Sequence, residues 1–209
     1  MKRRRQSYCI MGAGQFGARA AERLRRKNPE AVITVVDQDL EALDRLGDVV
    51  IDRVHEEAVS YLDACLNRPN EPQWVIPAVP IHLAFEWVRC KLEKMGHIEI
   101  FNVPEEVKER LHNHKTGNEG QIFLSYADFR CPAHCTEPYD VCTWTGKPRK
   151  GLLYRRLEEI VYKDFRSVVI RSHQLAPGVG GYQPESLRTS LAEVVESECP
   201  ILYATACLC

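Results

Sequence analysis

Residues 12–17 read Gly12-Ala13-Gly14-Gln15-Phe16-Gly17, a G-x-G-x-x-G turn set between a short apolar run and an amphipathic segment. The apolar run, Tyr8-Cys9-Ile10-Met11, reads as a strand. In the segment after the turn Phe16, Ala20 and Leu24 share one helical face, with Arg19, Arg23, Arg25 and Arg26 spread elsewhere. Twenty residues beyond Gly17, Asp37 ends a second strand-like run, Ala31-Val32-Ile33-Thr34-Val35-Val36. Strand, glycine turn, helix, strand and acid in this order make the dinucleotide-binding fingerprint.

The spacing follows from chemistry. Gly12 permits the tight turn out of the first strand, Gly14 lets backbone approach a pyrophosphate, and Gly17 lets helix and strand pack closely. The unpaired N–H groups and the positive end of the helix dipole then face the anion. Gln15, Phe16 and Gln38 flank this site, and Pro77 lies at the far side of the same cleft. Asp37 is positioned to accept hydrogen bonds from the ribose hydroxyls, and its charge repels a 2′-phosphate, so the reading is NAD(H) rather than NADP(H).

The periodicity continues the alternation. Helices are predicted over residues 40–46, 56–66 and 81–95, and strands at 49–51, 74–76 and 98–103. The expected fold class is α/β, a Rossmann-type doubly wound parallel sheet of order 3-2-1-4-5 over residues 1–117. Residues 118–209 are expected to form a smaller Cys-containing α/β subdomain. There a strand at 121–126, a loop at 137–150, a helix at 152–161, a strand at 167–170, a loop at 176–182, a helix at 184–195 and a last strand at 201–207 are predicted.

Nine cysteines are many for a chain of 209 residues, and their odd number argues against a disulfide framework. Cys131, Cys135 and Cys142 are spaced C-x3-C-x6-C in a proline-rich loop with little apolar material of its own. Thiolates on a metal would hold such a loop, with Cys207 or Cys209 completing a four-sulfur set and His134 as a substitute ligand. Zinc and an iron–sulfur cluster are both compatible with such a set, and small buried thiols are the alternative. Cys9, Cys65 and Cys90 fall within core elements and read as packing residues.

Gly178, Gly180 and Gly181 precede a helix that starts at Pro184, an arrangement open to an anion or to a loop that needs positive φ. His82 and His173 are the candidate acid/base residues, with capping or packing as the plainer role.

A hydrophobic content of 44%, a charged content of 27% and a net charge of −1 describe an ordinary globular chain with no global call for nucleic acid. No apolar run approaches the roughly 20 residues of a membrane span. The basic start reads as a solvated tail, and the expectation is a cytoplasmic protein without direct membrane insertion.

The run 10–17 with Val35-Val36-Asp37-Gln38-Asp39 and Leu43 and Leu46 resembles the TrkA-N, or RCK, nucleotide-binding domain of Trk-type potassium-uptake regulators. The likeness covers roughly the first half. It implies NAD(H) binding at Gly12, Gly14, Gly17 and Asp37, a homodimer, a membrane transporter as partner, and regulation or redox sensing rather than turnover. The second half, with its Cys-Pro…Cys…Glu-Pro…Cys segment, resembles uncharacterised bacterial proteins grouped by their first half alone. The competing reading is a small NAD-dependent oxidoreductase, with the glycines at 178–181 binding an anionic metabolite and His82 or His173 as acid/base. Sequence alone leaves open whether the chain is an enzyme.

Overall fold

The computed structural model describes residues 5–49, 52–96, 98–117, 120–129, 131–132 and 135–209. Four parallel strands form the main sheet: β1 (Ser7–Met11), β2 (Val32–Asp37), β3 (Asp52–His55) and β4 (Trp74–Pro77), in the order β3-β2-β1-β4. Helices α1 (Gln15–Lys27), α2 (Leu40–Asp44) and α3 (Ala58–Cys65) make the crossovers, and α4 (Leu83–Met95) follows β4.

Local chemistry sets their ends. Asp39, Glu57 and His82 each cap a helix by accepting backbone N–H groups. Gly47, at φ +58°, follows α2, and Gly96 closes α4. Arg25, Arg26 and Lys27 occupy the last turn of α1, opposite in sign to its carbonyl end.

Alternation along the strands divides the core. Tyr8, Ile10, Ile33 and Val35 point to one face, covered by Ala20, Ala21 and Leu24 of α1 and by Ala42 and Leu43 of α2. Cys9, Met11 and Val36 point to the other, covered by Leu62 of α3 and Leu83, Trp87 and Val88 of α4. Phe16, assigned by its spacing to the core face of α1, is instead 71% exposed. The face is held by Gly17, Ala20, Ala21 and Leu24, and Phe16 stands at the rim of the glycine turn.

Other expectations are revised. The third strand runs at Asp52–His55, after a 3-10 turn at Gly47–Val49; Val50 and Ile51 of the predicted strand lie outside the described residues. Residues 98–103 do not form a fifth strand. Tyr182 takes the place beside β4, exchanging both backbone hydrogen bonds with Val75 at 2.9 and 3.0 Å in antiparallel sense. Ile100 and Phe101, which a fifth strand covered on both faces would bury, are exposed.

After a short helix α5 (Glu105–Lys108) and the antiparallel pair β5 (His114–Thr116) and β6 (Ile122–Leu124), residues 135–150 carry no helix. Helix α6 (Leu153–Glu158) precedes β7 (Arg166–Arg171). The predicted loop at 176–182 is part of a hairpin, β8 (His173–Ala176) with β9 (Val179–Gly181), turned at Gly178 with φ +65°. Helix α7 (Pro184–Val195) follows with Pro184 in its first turn, and β10 (Ile201–Ala206) pairs parallel to β7. This small sheet has α7 against β7, while Leu153, Tyr154 and Leu157 of α6 cluster with Ala206 and Leu208.

The second half is built into the first. Leu175, Ala176 and Val179 join the core under α1, and Ile170, Tyr182 and Leu187 join the core under α4. Tyr182 is 1% exposed, and its hydroxyl has no hydrogen-bond partner among the described residues. A buried hydroxyl left unpaired is destabilising by about 1–3 kcal/mol. Tyr182→Phe is therefore expected to raise stability by about 1 kcal/mol in urea denaturation, whereas Tyr182→Ala empties the junction and is expected to cost about 3–5 kcal/mol.

Candidate functional site: a glycine turn and a thiol basin

The carboxyl ends of the four parallel strands define the cleft expected of an open α/β sheet. Gly12 follows β1 with φ +113°, and a β-carbon there would lie 2.6 Å from the Ala78 carbonyl oxygen. At Gly17 a β-carbon would fall 1.8 Å from the Gly12 carbonyl oxygen. Both positions exclude any side chain on steric grounds. Gly14 differs: a β-carbon there would meet nothing within 4 Å. Its absence leaves room in front of the N-terminus of α1, where Gly14, Gln15 and Phe16 are all exposed.

Asp37 is placed over this turn. Its Oδ2 accepts the Ala13 N–H at 2.6 Å and its Oδ1 accepts the Asp39 N–H at 2.9 Å. An ionised carboxylate has about four lone-pair sites, so two remain for a ribose diol. Gln38 is exposed beside it, its carbonyl 2.8 Å from His55 Nε2. Pro77 ends β4 on the opposite side of β1. The structure thus gathers Gly12, Gly14, Gln15, Phe16, Gly17, Asp37, Gln38 and Pro77 at one end of the sheet.

His82 is near that end but is occupied. Its Nδ1 accepts the Phe85 N–H at 3.1 Å, its Nε2 is 3.5 Å from Thr205 Oγ1, and its ring sits between Phe85 and Tyr203. Burial pushes the imidazole below its usual range, so the cap works in the neutral form.

His173 and the glycines are elsewhere. His173 stacks edge-on with Trp74, the first residue of β4, which puts it at the amino end of the sheet, away from the glycine turn. Gly178 meets Arg23 of α1, Gly180 meets Ser172, and Gly181 lies against Leu175 and the Val75 carbonyl. Each has a packing neighbour that a side chain would strike. Cys9 and Cys65 are buried side by side beneath the sheet, as core residues.

Five of the thiols, Cys131, Cys135, Cys142, Cys207 and Cys209, converge in the second half. Cys207 and Cys209 follow β10, whose Thr205 touches His82. The Glu137 carboxylate and the two sulfurs lie within 4.8 Å of one another, and Glu137 Oε1 accepts the Leu208 N–H at 2.8 Å. Cys131 is in electrostatic range of Cys135, Cys142 and Cys209. Arg149 hydrogen-bonds Cys209 and lies near Cys135 and Glu137. Hydrogen bonds from Cys207 and then Arg149 bring the Cys209 thiol down to about 6. His134, the substitute ligand, lies outside the described residues. Glu137 and Arg149 were not singled out by sequence; the Glu-Pro after Cys135 and the basic run at 147–150 were the available signals.

A cavity of about 880 Å³ is lined by Pro77, Val79, His82, Cys207 and Cys209 among others, whereas Gly12, Gly14, Gly17 and Asp37 do not line it. No helix among the described residues is long and apolar enough to cross a membrane.

The family model described as "Uncharacterized protein, C-terminal domain" (AF_1314_C) matches residues 84–209. The chain belongs to this family. The TrkA-N domain model matches residues 8–62, so the AF_1314_C part follows a TrkA-N part, the two-part organisation expected from the motifs. A relative from Archaeoglobus fulgidus, described as an uncharacterized protein, is 28% identical over 213 residues, spanning 96% of this chain and 94% of its own. Among solved structures, a mutant of KijD10, a 3-ketoreductase from Actinomadura kijaniata in complex with TDP-benzene and NADP, is 16% identical with a TM-score of 0.30. That overlap covers 45% of this chain and 29% of the ketoreductase chain.

The neutral state of His82 carries a pH signature. Its folded pKa is depressed, so its contribution is fully present above the unfolded value of about 6.5 and is lost as pH falls below it. His82→Asn keeps a capping acceptor but has nothing to titrate. The stability difference between the native chain and His82→Asn is expected to narrow between pH 8 and pH 5 (about 1.5 units either side of that value), measured by urea midpoints.

Proposed function

We propose that the chain is an NAD(H)-binding regulatory and redox-sensing module of the TrkA-N type. In this reading the dinucleotide lies across the glycine turn. Its pyrophosphate faces the open space at Gly14 and the N–H groups that begin α1, and its adenosine ribose faces the free lone pairs of Asp37. The single observation that carries the reading is the contrast among the glycines. Gly12 and Gly17 have steric reasons within the fold, whereas Gly14, the N-cap of α1, has no packing neighbour and leaves open space that suits close approach of a ligand. The carboxylate beside it favours NAD(H) over the phosphorylated cofactor.

The wider reading is a cytoplasmic homodimer that reports cofactor occupancy to a membrane transporter of the potassium-uptake kind. It rests on the TrkA-N match over residues 8–62. A thiol-bound metal, zinc or an iron–sulfur cluster, at Cys131, Cys135, Cys142, Cys207 and Cys209 would tie the second half to the cleft. The oxidoreductase alternative has less support. It needs an acid/base at the nicotinamide end, and His82 is engaged at both nitrogens while His173 lies at the amino end of β4.

The glycine contrast is testable in two variants. Gly14→Ala is expected to unfold at the native urea midpoint yet bind NADH at least about tenfold more weakly, a loss of about 1.4 kcal/mol. Gly17→Ala is expected to lose about 3 kcal/mol of stability from overpacking alone. Asp37→Ala is also expected to weaken NADH by about tenfold or more. Native NADH affinity in both Gly14→Ala and Asp37→Ala, by calorimetry, would refute the cofactor assignment.

A further inference from the structure

Residues 131–149 carry seven prolines, glycines and cysteines in sequence but no buried side chain among those described. Their only regular pairing is an isolated bridge between Val141 and Pro148. A stretch with so little apolar burial needs another source of order. What it does present is sulfur.

Two of the thiols sit in turns whose N–H groups point at them. Cys135 Sγ accepts the Glu137 N–H at 3.4 Å, and the Cys135 N–H closes a turn on the Pro132 carbonyl at 3.0 Å. Cys142 Sγ accepts from the N–H groups of Trp144 and Thr145 and from the Thr145 hydroxyl. The same turn is closed by Gly146 N–H to the Cys142 carbonyl and Cys142 N–H to the Lys147 carbonyl, both at 2.9 Å. Donors around a sulfur favour its anionic form and tune a metal bound to it. Gln174 Nε2 further fixes the Cys135 carbonyl at 2.7 Å, from outside the loop.

Spacing discriminates between the metals. A single tetrahedral zinc with Zn–S of about 2.3 Å holds its sulfurs about 3.8 Å apart. Among the described residues, the tight donor group is Glu137, Cys207 and Cys209, all within 4.8 Å. No three of Cys131, Cys135, Cys142 and Cys209 come that close together among the described residues, although Cys131 is within electrostatic range of the other three. Cys207 turns inward, its thiol donating to the Cys209 carbonyl at 3.6 Å. Thiols spread over a basin suit a cofactor that offers a separate iron to each sulfur.

The geometry points to an iron–sulfur cluster held by Cys131, Cys135, Cys142 and Cys209, with Glu137 and Arg149 positioning the Cys209 end. This deepens the metal part of the function proposed above and rests on it. Glu137 fixes the tail through the Leu208 N–H, and Arg149 sets a cation beside the Cys209 sulfur. Cys207 and Cys209 line the cavity that Pro77 and Val79 also line.

The test is elemental and spectroscopic analysis of the full chain, expressed in iron-replete cells, purified without oxygen and then offered equal ferric and ferrous iron with sulfide. About four iron and four sulfide per chain with broad visible absorption are expected for a cubane cluster. Cys131→Ser and Cys142→Ser are each expected to lose at least about four-fifths of the iron, through loss of one thiolate ligand. Cys199→Ser, at an exposed cysteine outside the basin, is expected to keep it. Stoichiometric zinc with no iron uptake would overturn the cluster and leave the metal reading standing. Neither metal would overturn both. Calorimetry of NADH on the same preparations reads the dinucleotide site independently, and circular dichroism of each variant separates cluster loss from unfolding.

Discussion

The close approach of two glycines governs the first half of the molecule. A β-carbon on Gly17 would sit 1.8 Å from the Gly12 carbonyl oxygen, so α1 can lie against the turn from β1 only because both residues lack one. That contact fixes where α1 begins, and with it the direction of the N–H groups at its start. It also brings Ala13 under Asp37, whose carboxylate ties β2 to the turn at 2.6 Å. The cleft is therefore shaped before any ligand arrives, which lowers the ordering cost of binding one.

The second half depends on the first through backbone as much as through side chains. Val75 and Tyr182 exchange both hydrogen bonds, closing the edge of β4 that residues 98–103 leave open. From there α7 enters the core beneath α4 through Leu187, and Arg188 forms a two-pronged ion pair with Glu71 at 2.8 and 2.9 Å. The hairpin carrying Gly178 is clamped onto α1 by Arg23, which donates to the Pro177 carbonyl. These contacts explain why β10 runs out beside His82 and delivers Cys207 and Cys209 to the cleft end of the sheet.

Legibility in the sequence followed the range of the interaction. The glycine turn, Asp37 and α7 were readable because their signals are local: fixed offsets, a proline at the first turn, an apolar stripe. The shift of β3 to Asp52–His55 was not, because that edge strand is largely exposed and lacks the apolar run that guided the prediction. Residues 98–103 alternate as a strand should, yet their place at the sheet edge is taken by a segment 80 positions downstream, a tertiary competition that periodicity does not record. Phe16 illustrates the same limit in miniature, since helical spacing assigns a face but not what stands across from it. Glu137 and Arg149 escaped notice because their meaning comes from Cys209, far away in sequence.

The two features of the cleft end solve opposite problems. The glycine turn is rigid and empties space, with a packed helix behind it and nothing in front of Gly14. The thiol basin is the reverse, because its loop has donors aimed at sulfur but no apolar face to fold upon. Hydrogen bonds alone contribute little net stability to an exposed loop, where water competes for every donor. A ligand that binds only the folded arrangement adds its binding free energy to the loop's stability. Under the cluster proposed above, order around Cys131, Cys135 and Cys142 would be coupled to what the sulfurs hold. Because Cys207 and Cys209 extend the strand that touches His82, that coupling would reach the cap of α4.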